Sequence, residues 1–330
     1  MEFLLDYGLF LAKALTALLV ALILITAIVG ALRNARQQEQ LPSRLEVRHL
    51  NDEYERAGLT LKSAMLPTKA VKSERKALKA RRKQHGQSSR PRLFVLDFHG
   101  DIRASATESL REEITAILTA ASADDEVLVR LESGGGMIPP YGLAAAQLLR
   151  LRDRGIRLTV AVDRVAASGG YMMACVADRI LTAPFAILGS IGVIAQVPNF
   201  NRMLKKHEID FEQFMAGEHK RTVTLFGENT DQGRHKFQQE IEQAHELFKD
   251  FVARYRPQVD LAEIATGEYW YGTQALEHKL ADQVLTSDEY LLERSQNAEL
   301  YAVSKRVRKP LLSRILPGAG EAWSRLRGLI

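Results

Sequence analysis

The sequence predicts an α/β fold with a largely parallel sheet, attached to a membrane by one N-terminal helix. Two observations predict the fold. From Arg92 onward, short apolar runs alternate with amphipathic stretches, as strands and helices do in βαβ units. Glycine-rich turns also follow several of these apolar runs. A third observation, a long uncharged segment near the N-terminus, predicts the membrane attachment.

The predicted membrane anchor comprises residues 1–32. Residues 14–32 are 19 uncharged and mostly aliphatic residues, which as a helix would span about 28 Å, close to the thickness of the hydrocarbon core. A cleaved signal peptide is the alternative. The acidic residues Glu2 and Asp6 stand where a signal peptide has basic residues, and no small-x-small cleavage site precedes Arg33. These features favour an uncleaved anchor.

Residues 33–91 form a basic region for which the sequence predicts no strand. Residues 37–50 and 59–83 are predicted to be helical or disordered, and residues 69–83 are rich in Lys and Arg. Such a run can attract anionic lipid headgroups or can be a solvated linker. Since no nucleic-acid recognition motif accompanies it, we expect no nucleic-acid partner. The arginines that follow the anchor place the bulk of the chain in the cytoplasm by the positive-inside rule.

The α/β region begins at Arg92. Apolar runs predict strands at residues 93–98, 127–131, 158–162, 180–183, 191–196 and 211–215, and amphipathic spacing predicts helices at 107–121, 141–153 and 232–255. Residues 180–197 carry no charge, but Pro184, Gly189 and Gly192 divide them into strand-sized pieces. We therefore interpret this run as buried core and not as a second membrane span.

Ser168 is the candidate nucleophile. It lies among small residues between a predicted strand and a predicted helix, where free backbone N–H groups favour developing negative charge. The alternative is that Ser168 only caps the helix. The turn at residues 134–136 is all glycine, follows a strand and could supply oxyanion-binding N–H groups. Lys220 is the best candidate base, and His219 beside it leaves a Ser–His–Asp triad as the alternative.

Other site chemistries find little support in the sequence. Cys175, the single cysteine, lies in an apolar helical pattern and is interpreted as a small buried side chain. Neither a His-Glu-x-x-His motif nor paired cysteines occur. We therefore expect no metal and no cofactor.

Three motifs together resemble one known family. Residues 167–171 (ASGGY), residues 189–194 (GSIGVI) and Lys220 at its spacing are similar to those of the signal peptide peptidase A and SohB family of membrane serine peptidases. Residues 267–276 also match a family motif, whose usual Gly-Leu-Val-Asp ending is Lys-Leu-Ala-Asp at residues 279–282. The resemblance extends from the anchor to about residue 290.

The resemblance implies a Ser–Lys dyad on a ClpP/crotonase-like domain at residues 92–290, followed by a basic tail at 291–330. Lysine can act as a base only when its amine is neutral, which requires burial or nearby positive charge. The family usually has proline where this chain has Gly134. The implied roles are nucleophile for Ser168, general base for Lys220, orientation of the lysine for Ser190, and the oxyanion hole for Gly135, Gly136 and Gly169.

The resemblance also implies partners and a location. The expected partners are peptide substrates, including signal-peptide remnants, the lipid bilayer, and further copies of the chain, since the dyad can be shared between protomers. The expected location is the bacterial cytoplasmic (inner) membrane, although in relatives the active domain usually lies outside the cytoplasm. The remaining alternatives are a crotonase-like acyl-transfer enzyme and a non-catalytic membrane scaffold.

Overall fold

The computed structural model describes residues 44–85, 90–217 and 219–306, together with five single positions between Lys13 and Leu19. Apart from those positions, the predicted anchor at residues 1–32 lies outside the described residues, as does the chain after Arg306. Across the part that is described, no helix combines the length and the apolar character needed to cross a membrane. The chain divides into two compact units, residues 1–46 with 305–330 and residues 47–304. The second unit contains the core and the candidate site.

Strands and helices alternate through most of the described chain. The strands are β1 (Arg44–His49), β2 (Arg92–Gly100), β3 (Glu126–Ser133), β4 (Arg157–Val162), β5 (Val165–Ala167), β6 (Arg179–Thr182), β7 (Ile187–Gly189), β8 (Tyr269–Tyr271), β9 (Gln283–Val284) and β10 (Glu299–Arg306). The helices are α1 (Leu50–Met65), α2 (Thr68–His85), α3 (Thr107–Ala120), α4 (Ile138–Arg152), α5 (Gly169–Ala174), α6 (Asn201–Lys206), α7 (Asp231–Tyr255), α8 (Leu261–Ile264), α9 (Gly272–Glu277) and α10 (Ser287–Arg294).

The sheet is largely parallel, and the predicted α/β class is confirmed. Its main path runs β1-β10-β2-β3-β4-β6-β9, and the pairings from β10 to β9 are all parallel. A short branch leaves this path at β3, where β5 pairs with β3 and with β7 in parallel, and β8 closes the branch in antiparallel fashion. Parallel strands end at the same edge of a sheet, so the chain segments that follow β3, β5 and β7 lie close together.

Both faces of the central sheet are buried, as is usual for parallel sheets. The side chains of β2 alternate between two hydrophobic clusters. Phe94, Leu96 and Phe98 belong to the larger cluster, whereas Leu93 and Val95 belong to the smaller one. The strands therefore read as continuous apolar runs, which is why they could be recognised in the sequence.

Three predictions about strands are wrong. Residues 191–196 form no strand, because Ser190 turns the chain and the Gly192 N–H bonds back to the Ser190 carbonyl. Residues 211–215 are irregular and exposed, so their apolar character does not reflect burial. The region before residue 92 does contain a strand, β1, whose neighbour β10 lies near the other end of the described chain.

The uncharged run at 180–197, interpreted from the sequence as buried core, is buried only in part, since the side chain of Ile194 is 80% exposed.

The predicted division of the chain at residues 32, 91 and 290 stays a prediction. The sheet includes β10, a strand not foreseen within the segment predicted as a tail. Asp282 is the last residue of the family motif at residues 267–282, called the late motif below. It accepts two hydrogen bonds from the buried guanidinium of Arg256, at 2.8 and 2.9 Å. The residues that close this motif therefore hold α7 close to the start of β9.

Lys279, where the family motif usually has glycine, has an unfavourable backbone conformation. Lys279 follows α9 with φ of 60°, a left-handed conformation in which glycine has no Cβ penalty. We expect Lys279→Gly to raise the free energy of unfolding by about 1 kcal/mol, as measured by denaturant titration. Glu277→Gly, at the exposed last residue of α9, is the control and should lower the stability, because glycine is a poor helix former. Equal destabilisation by both changes would contradict the explanation.

Candidate active site

The carboxyl ends of three parallel strands bring Ser168, Ser190 and the predicted oxyanion-hole glycines together. Ser133, the last residue of β3, lies opposite Ala166 of β5, and Ala167 lies opposite Gly189 of β7. The residues that come next are the glycine turn at 134–136, Ser168 and Ser190. Motifs that are far apart in the sequence are thus neighbours at one edge of the sheet.

Ser168 has a strained backbone, and its hydroxyl makes no hydrogen bond to any residue that the structure describes. Its φ is 51°, which is uncommon for a residue other than glycine and costs about 1–2 kcal/mol. The conformation is held from both sides, since the Ser168 N–H donates to the Gly189 carbonyl at 2.8 Å and the Ser168 carbonyl accepts from the Met172 N–H at 2.9 Å. The hydroxyl forms no cap on α5. The interpretation of Ser168 as a plain helix cap is therefore wrong.

The glycine turn lies directly against Ser168. Gly135 has φ of 90°, and a Cβ there would lie 2.7 Å from the Ala167 carbonyl oxygen and 2.8 Å from both the Gly169 nitrogen and the Ser168 Cβ. Only glycine allows the two segments to come this close. A Cβ at Gly136 would meet the carbonyl oxygen of Ile102 at 2.2 Å, so the turn is packed on both sides.

The three predicted oxyanion donors differ in what their N–H groups do. The Gly135 N–H donates to the Ser133 hydroxyl at 3.1 Å. The N–H groups of Gly136 and Gly169 have no hydrogen-bond acceptor among the described residues. The structure therefore leaves Gly136 and Gly169 as the available donors of this set, whereas the Gly135 N–H stabilises the turn itself.

Ser190 lies beside Ser168 at the end of the neighbouring strand. It too has a left-handed backbone, with φ of 49°, and its N–H donates to the Glu268 carbonyl at 2.6 Å. Its hydroxyl donates to the Gly267 carbonyl at 3.3 Å, a long bond that a better acceptor could replace. Residues 267–268 from the late motif thus support the Ser190 turn, which explains why the two motifs occur together.

Lys220 makes no hydrogen bond to Ser168 within the described residues. It lies between α6 and α7, in a segment whose described residues form neither helix nor strand, and its side chain is exposed. Within the described residues its amine makes neither a hydrogen bond nor an ion pair, and its backbone N–H donates to the Gly217 carbonyl at 3.1 Å. Exposed apolar side chains flank it on this segment, and Phe214 is 89% exposed.

The other candidate groups do not assemble a second catalytic site. None of the histidines within the described ranges hydrogen-bonds to Ser168, and His219 is exposed. Cys175 is buried, as predicted, and burial raises the pKa of its thiol far above the usual range. Where the chain is described, no group of three His, Cys, Asp or Glu side chains is placed to hold a metal ion.

Three residues that the sequence did not single out complete the site. The Tyr141 hydroxyl donates to the Asp101 carbonyl at 2.7 Å and lies 2.5 Å from the Ser133 hydroxyl. Burial raises the pKa of Tyr141, so this hydroxyl stays protonated. The Ser105 N–H holds the pKa of the Asp101 carboxyl below its usual range. The sequence signals were that Asp101 directly follows β2 and that Ser133 ends β3, at the sheet edge where parallel α/β proteins place functional residues. Tyr141 lies in α4 and has no such signal.

We expect Gly135→Ala to lower the catalytic activity of this site by about 100-fold or more, because an added Cβ must push the glycine turn away from Ser168. Gly155→Ala is the matched control. Gly155 also has positive φ, 71°, but a Cβ there would have no neighbour within 4 Å. Both variants should remain folded in thermal unfolding, and only Gly135→Ala should lose activity. Equal activities of the two variants would contradict the assigned role of the turn.

Comparison with known proteins gives one family for the whole described fold. The sequence profile of the peptidase family S49 N-terminal region matches residues 2–148, and that of peptidase family S49 matches residues 150–301. The chain is 47% identical over 328 residues to the probable protease SohB of Haemophilus influenzae, covering 95% of this chain and 92% of that one. It is 45% identical over 316 residues to the probable protease SohB of Buchnera aphidicola subsp. Acyrthosiphon pisum, covering 95% of this chain and 93% of that one.

Among solved structures, the chain is similar to a mutant of the 1510-N membrane-bound stomatin-specific protease in complex with a substrate peptide. The identity is 13% and the TM-score is 0.47, with 69% of this chain and 99% of that one covered.

Proposed function

The chain belongs to peptidase family S49 and is a peptidase, and on that premise we propose that it is a serine endopeptidase with a Ser–Lys dyad on a ClpP/crotonase-like domain. Ser168 is the nucleophile and Lys220 is the general base. The carrying observation is the Ser168 backbone, which is held in a strained conformation while its hydroxyl caps nothing. Such strain persists where the surrounding structure enforces it, and it is concentrated at active sites.

The proposed reaction is acyl transfer in two steps. Ser168 Oγ attacks the peptide carbonyl carbon while the neutral Lys220 amine takes the hydroxyl proton. The N–H groups of Gly136 and Gly169 bind the oxyanion that develops on the carbonyl oxygen. The protonated lysine then gives its proton to the departing amine, which leaves an ester on Ser168. A water molecule, deprotonated by the same lysine, releases the acyl product.

Ser190 would orient the lysine. Its hydroxyl lies at the end of the strand next to Ser168, and its bond to the Gly267 carbonyl is long. An amine placed between Ser168 and Ser190 could accept the proton of one hydroxyl while it bonds to the other. This arrangement fixes the lysine without a third charged group.

The exposed position of Lys220 supports an oligomeric site. General-base catalysis by lysine requires a neutral amine, which burial or nearby positive charge favours, so the base has to be covered before it works. The segment that carries Lys220 also exposes large apolar side chains, including Phe211 and Phe214. We propose that a second copy of the chain covers this segment, so that the serine of one protomer and the lysine of its neighbour form the dyad.

The proposed substrates are apolar peptides, including remnants of signal peptides. Ile102, Met137 and Ile138 border the glycine turn and are exposed, so apolar side chains could bind next to Ser168. We propose that residues 1–32 anchor the chain in the bacterial cytoplasmic membrane. The flanking arginines favour a catalytic domain in the cytoplasm, and the resemblance favours the opposite side.

The test of the serine mechanism uses the full chain in detergent micelles with a fluorogenic apolar peptide and a fluorophosphonate probe. We expect the probe to abolish hydrolysis and to modify one residue, Ser168, identified by mass spectrometry. Modification elsewhere, or full activity after complete modification of Ser168, would refute the proposal. If the chain left peptides intact and converted acyl-CoA thioesters instead, the crotonase-like alternative would replace it.

A further inference from the structure

We propose that Tyr141 is a positioning residue for the oxyanion hole, acting through Ser133 on the glycine turn. The inference rests on the proposed function, because it assigns the turn to oxyanion binding. It adds a residue that contacts no substrate and that holds the two available donors, Gly136 and Gly169, in register with each other.

The hydrogen bonds around Tyr141 have only one consistent direction. The Tyr141 hydroxyl has a single proton, which it donates to the Asp101 carbonyl. The Ser133 hydroxyl must therefore donate its own proton to the Tyr141 oxygen. This leaves the Ser133 oxygen free to accept from the Gly135 N–H. The chain thus runs from the Gly135 N–H through Ser133 and Tyr141 to the carbonyl of Asp101.

The chain of bonds joins the loop after β2 to the turn after β3. A second connection runs in parallel, since the Met137 N–H donates to the Ile102 carbonyl at 2.8 Å. Gly136 lies between these two fixed points, the Gly135 N–H and the Met137 N–H. The Gly136 N–H has no acceptor among the described residues, and these two neighbouring hydrogen bonds fix its orientation.

The ring of Tyr141 fixes the other donor. Tyr141 is fully buried, and a Cβ at Gly169 would lie 2.5 Å from the ring carbon Cγ, so the ring packs directly on the Gly169 backbone. A Cβ at Gly170 would lie 2.4 Å from the Ser133 carbonyl oxygen, so the start of α5 also packs on the end of β3. One side chain therefore packs on Gly169 with its ring and is linked to the glycine turn by its hydrogen bond with Ser133.

This geometry predicts an effect on the transition state and not on substrate binding. Oxyanion donors bind most strongly where negative charge develops. A small displacement of Gly136 therefore raises the free energy of the transition state more than that of the bound substrate. Without the Tyr141 hydroxyl, the Ser133 hydroxyl has no acceptor for its proton and can rotate. The oxygen that accepts from the Gly135 N–H is then no longer held in one orientation. The ring would remain, and with it the packing on Gly169.

The test is Tyr141→Phe in the full chain, which removes one oxygen and keeps the ring. We expect kcat for an apolar peptide to fall by about 10- to 100-fold, with KM changed by less than about twofold. Tyr290→Phe is the matched control, because the Tyr290 hydroxyl is also buried and bonded, to Glu126, on the other side of the sheet. It should lower the melting temperature by a similar amount and leave kcat unchanged.

A second readout separates positioning from loss of stability. A peptide aldehyde forms a tetrahedral adduct with Ser168, and its affinity should fall in Tyr141→Phe by the same factor as kcat/KM. Ser133→Ala should give the same losses, and the double variant should be no worse than either single one. Normal kcat in Tyr141→Phe, a rise in KM alone, or additive effects of the two changes would overturn the inference.

Ser168→Ala separates this inference from the proposed function. If Ser168→Ala retained activity, the serine mechanism itself would be refuted, and the role of Tyr141 with it. If Ser168→Ala were inactive while Tyr141→Phe and Ser133→Ala were normal, only the role of Tyr141 would be refuted.

Discussion

Ser168→Ala is expected to lower kcat for peptide hydrolysis by about 10⁴-fold or more, because it removes the oxygen that is proposed to form the acyl ester. The overall fold should be unchanged, because the substitution removes one oxygen that makes no hydrogen bond within the described part of the chain. The measurement is steady-state hydrolysis of an apolar fluorogenic peptide by the full chain in micelles.

Ser63→Ala is the control for this prediction. Ser63 is exposed on α1, and its hydroxyl donates only to the Thr60 carbonyl of the same helix. It should show wild-type kcat and a melting temperature close to that of Ser168→Ala. If Ser168→Ala kept more than about one hundredth of the wild-type rate, another nucleophile would have to be found.

Lys220→Ala is expected to reduce kcat to a similar extent, although no hydrogen bond joins the lysine to Ser168 in the described part of the chain. The expectation follows from the need for a base, since no histidine within the described ranges hydrogen-bonds to Ser168. A mixture of Ser168→Ala and Lys220→Ala chains, unfolded and reassembled together, should regain activity if the dyad is shared between protomers. Random assembly gives some interfaces that combine an intact serine with an intact lysine.

Lys206→Ala is the matched control, since Lys206 is an exposed lysine at the end of α6 in the same part of the chain. It should retain wild-type activity alone. Substantial activity of Lys220→Ala would exclude the lysine as base and favour a histidine triad. Two inactive variants whose mixture also stays inactive would place both residues in one protomer, and would require the segment around Lys220 to move toward Ser168.

The sequence predicted those parts of the molecule that are governed by short-range patterns. The strands β2, β3 and β4 are continuous apolar runs, and α7 has clear amphipathic spacing, so both kinds of element were placed within a few residues. The glycine turn and Ser168 were recognised because steric demands leave so few residue types for these positions.

Long-range partners could not be predicted from local pattern. The strand β1 has charged residues between its apolar ones, and only its place beside β10 makes it a strand. The role of Tyr141 depends on Asp101 and Ser133, which are separated from it in sequence and meet it only in the folded chain. The apolar residues of 211–215 resembled a buried strand because composition alone does not tell what covers a side chain.

The position of β10 bears on how the protein is made. Strand β2 pairs with β10 on one side, yet during synthesis β2 leaves the ribosome long before the residues of β10 exist. Until then the nascent sheet has an open edge of unpaired backbone groups, which is prone to mispairing with other chains. Parallel pairing between distant segments is also slow. We therefore expect maturation to be completed only after translation ends, with chaperones protecting the unfinished edge, and prematurely terminated chains to aggregate.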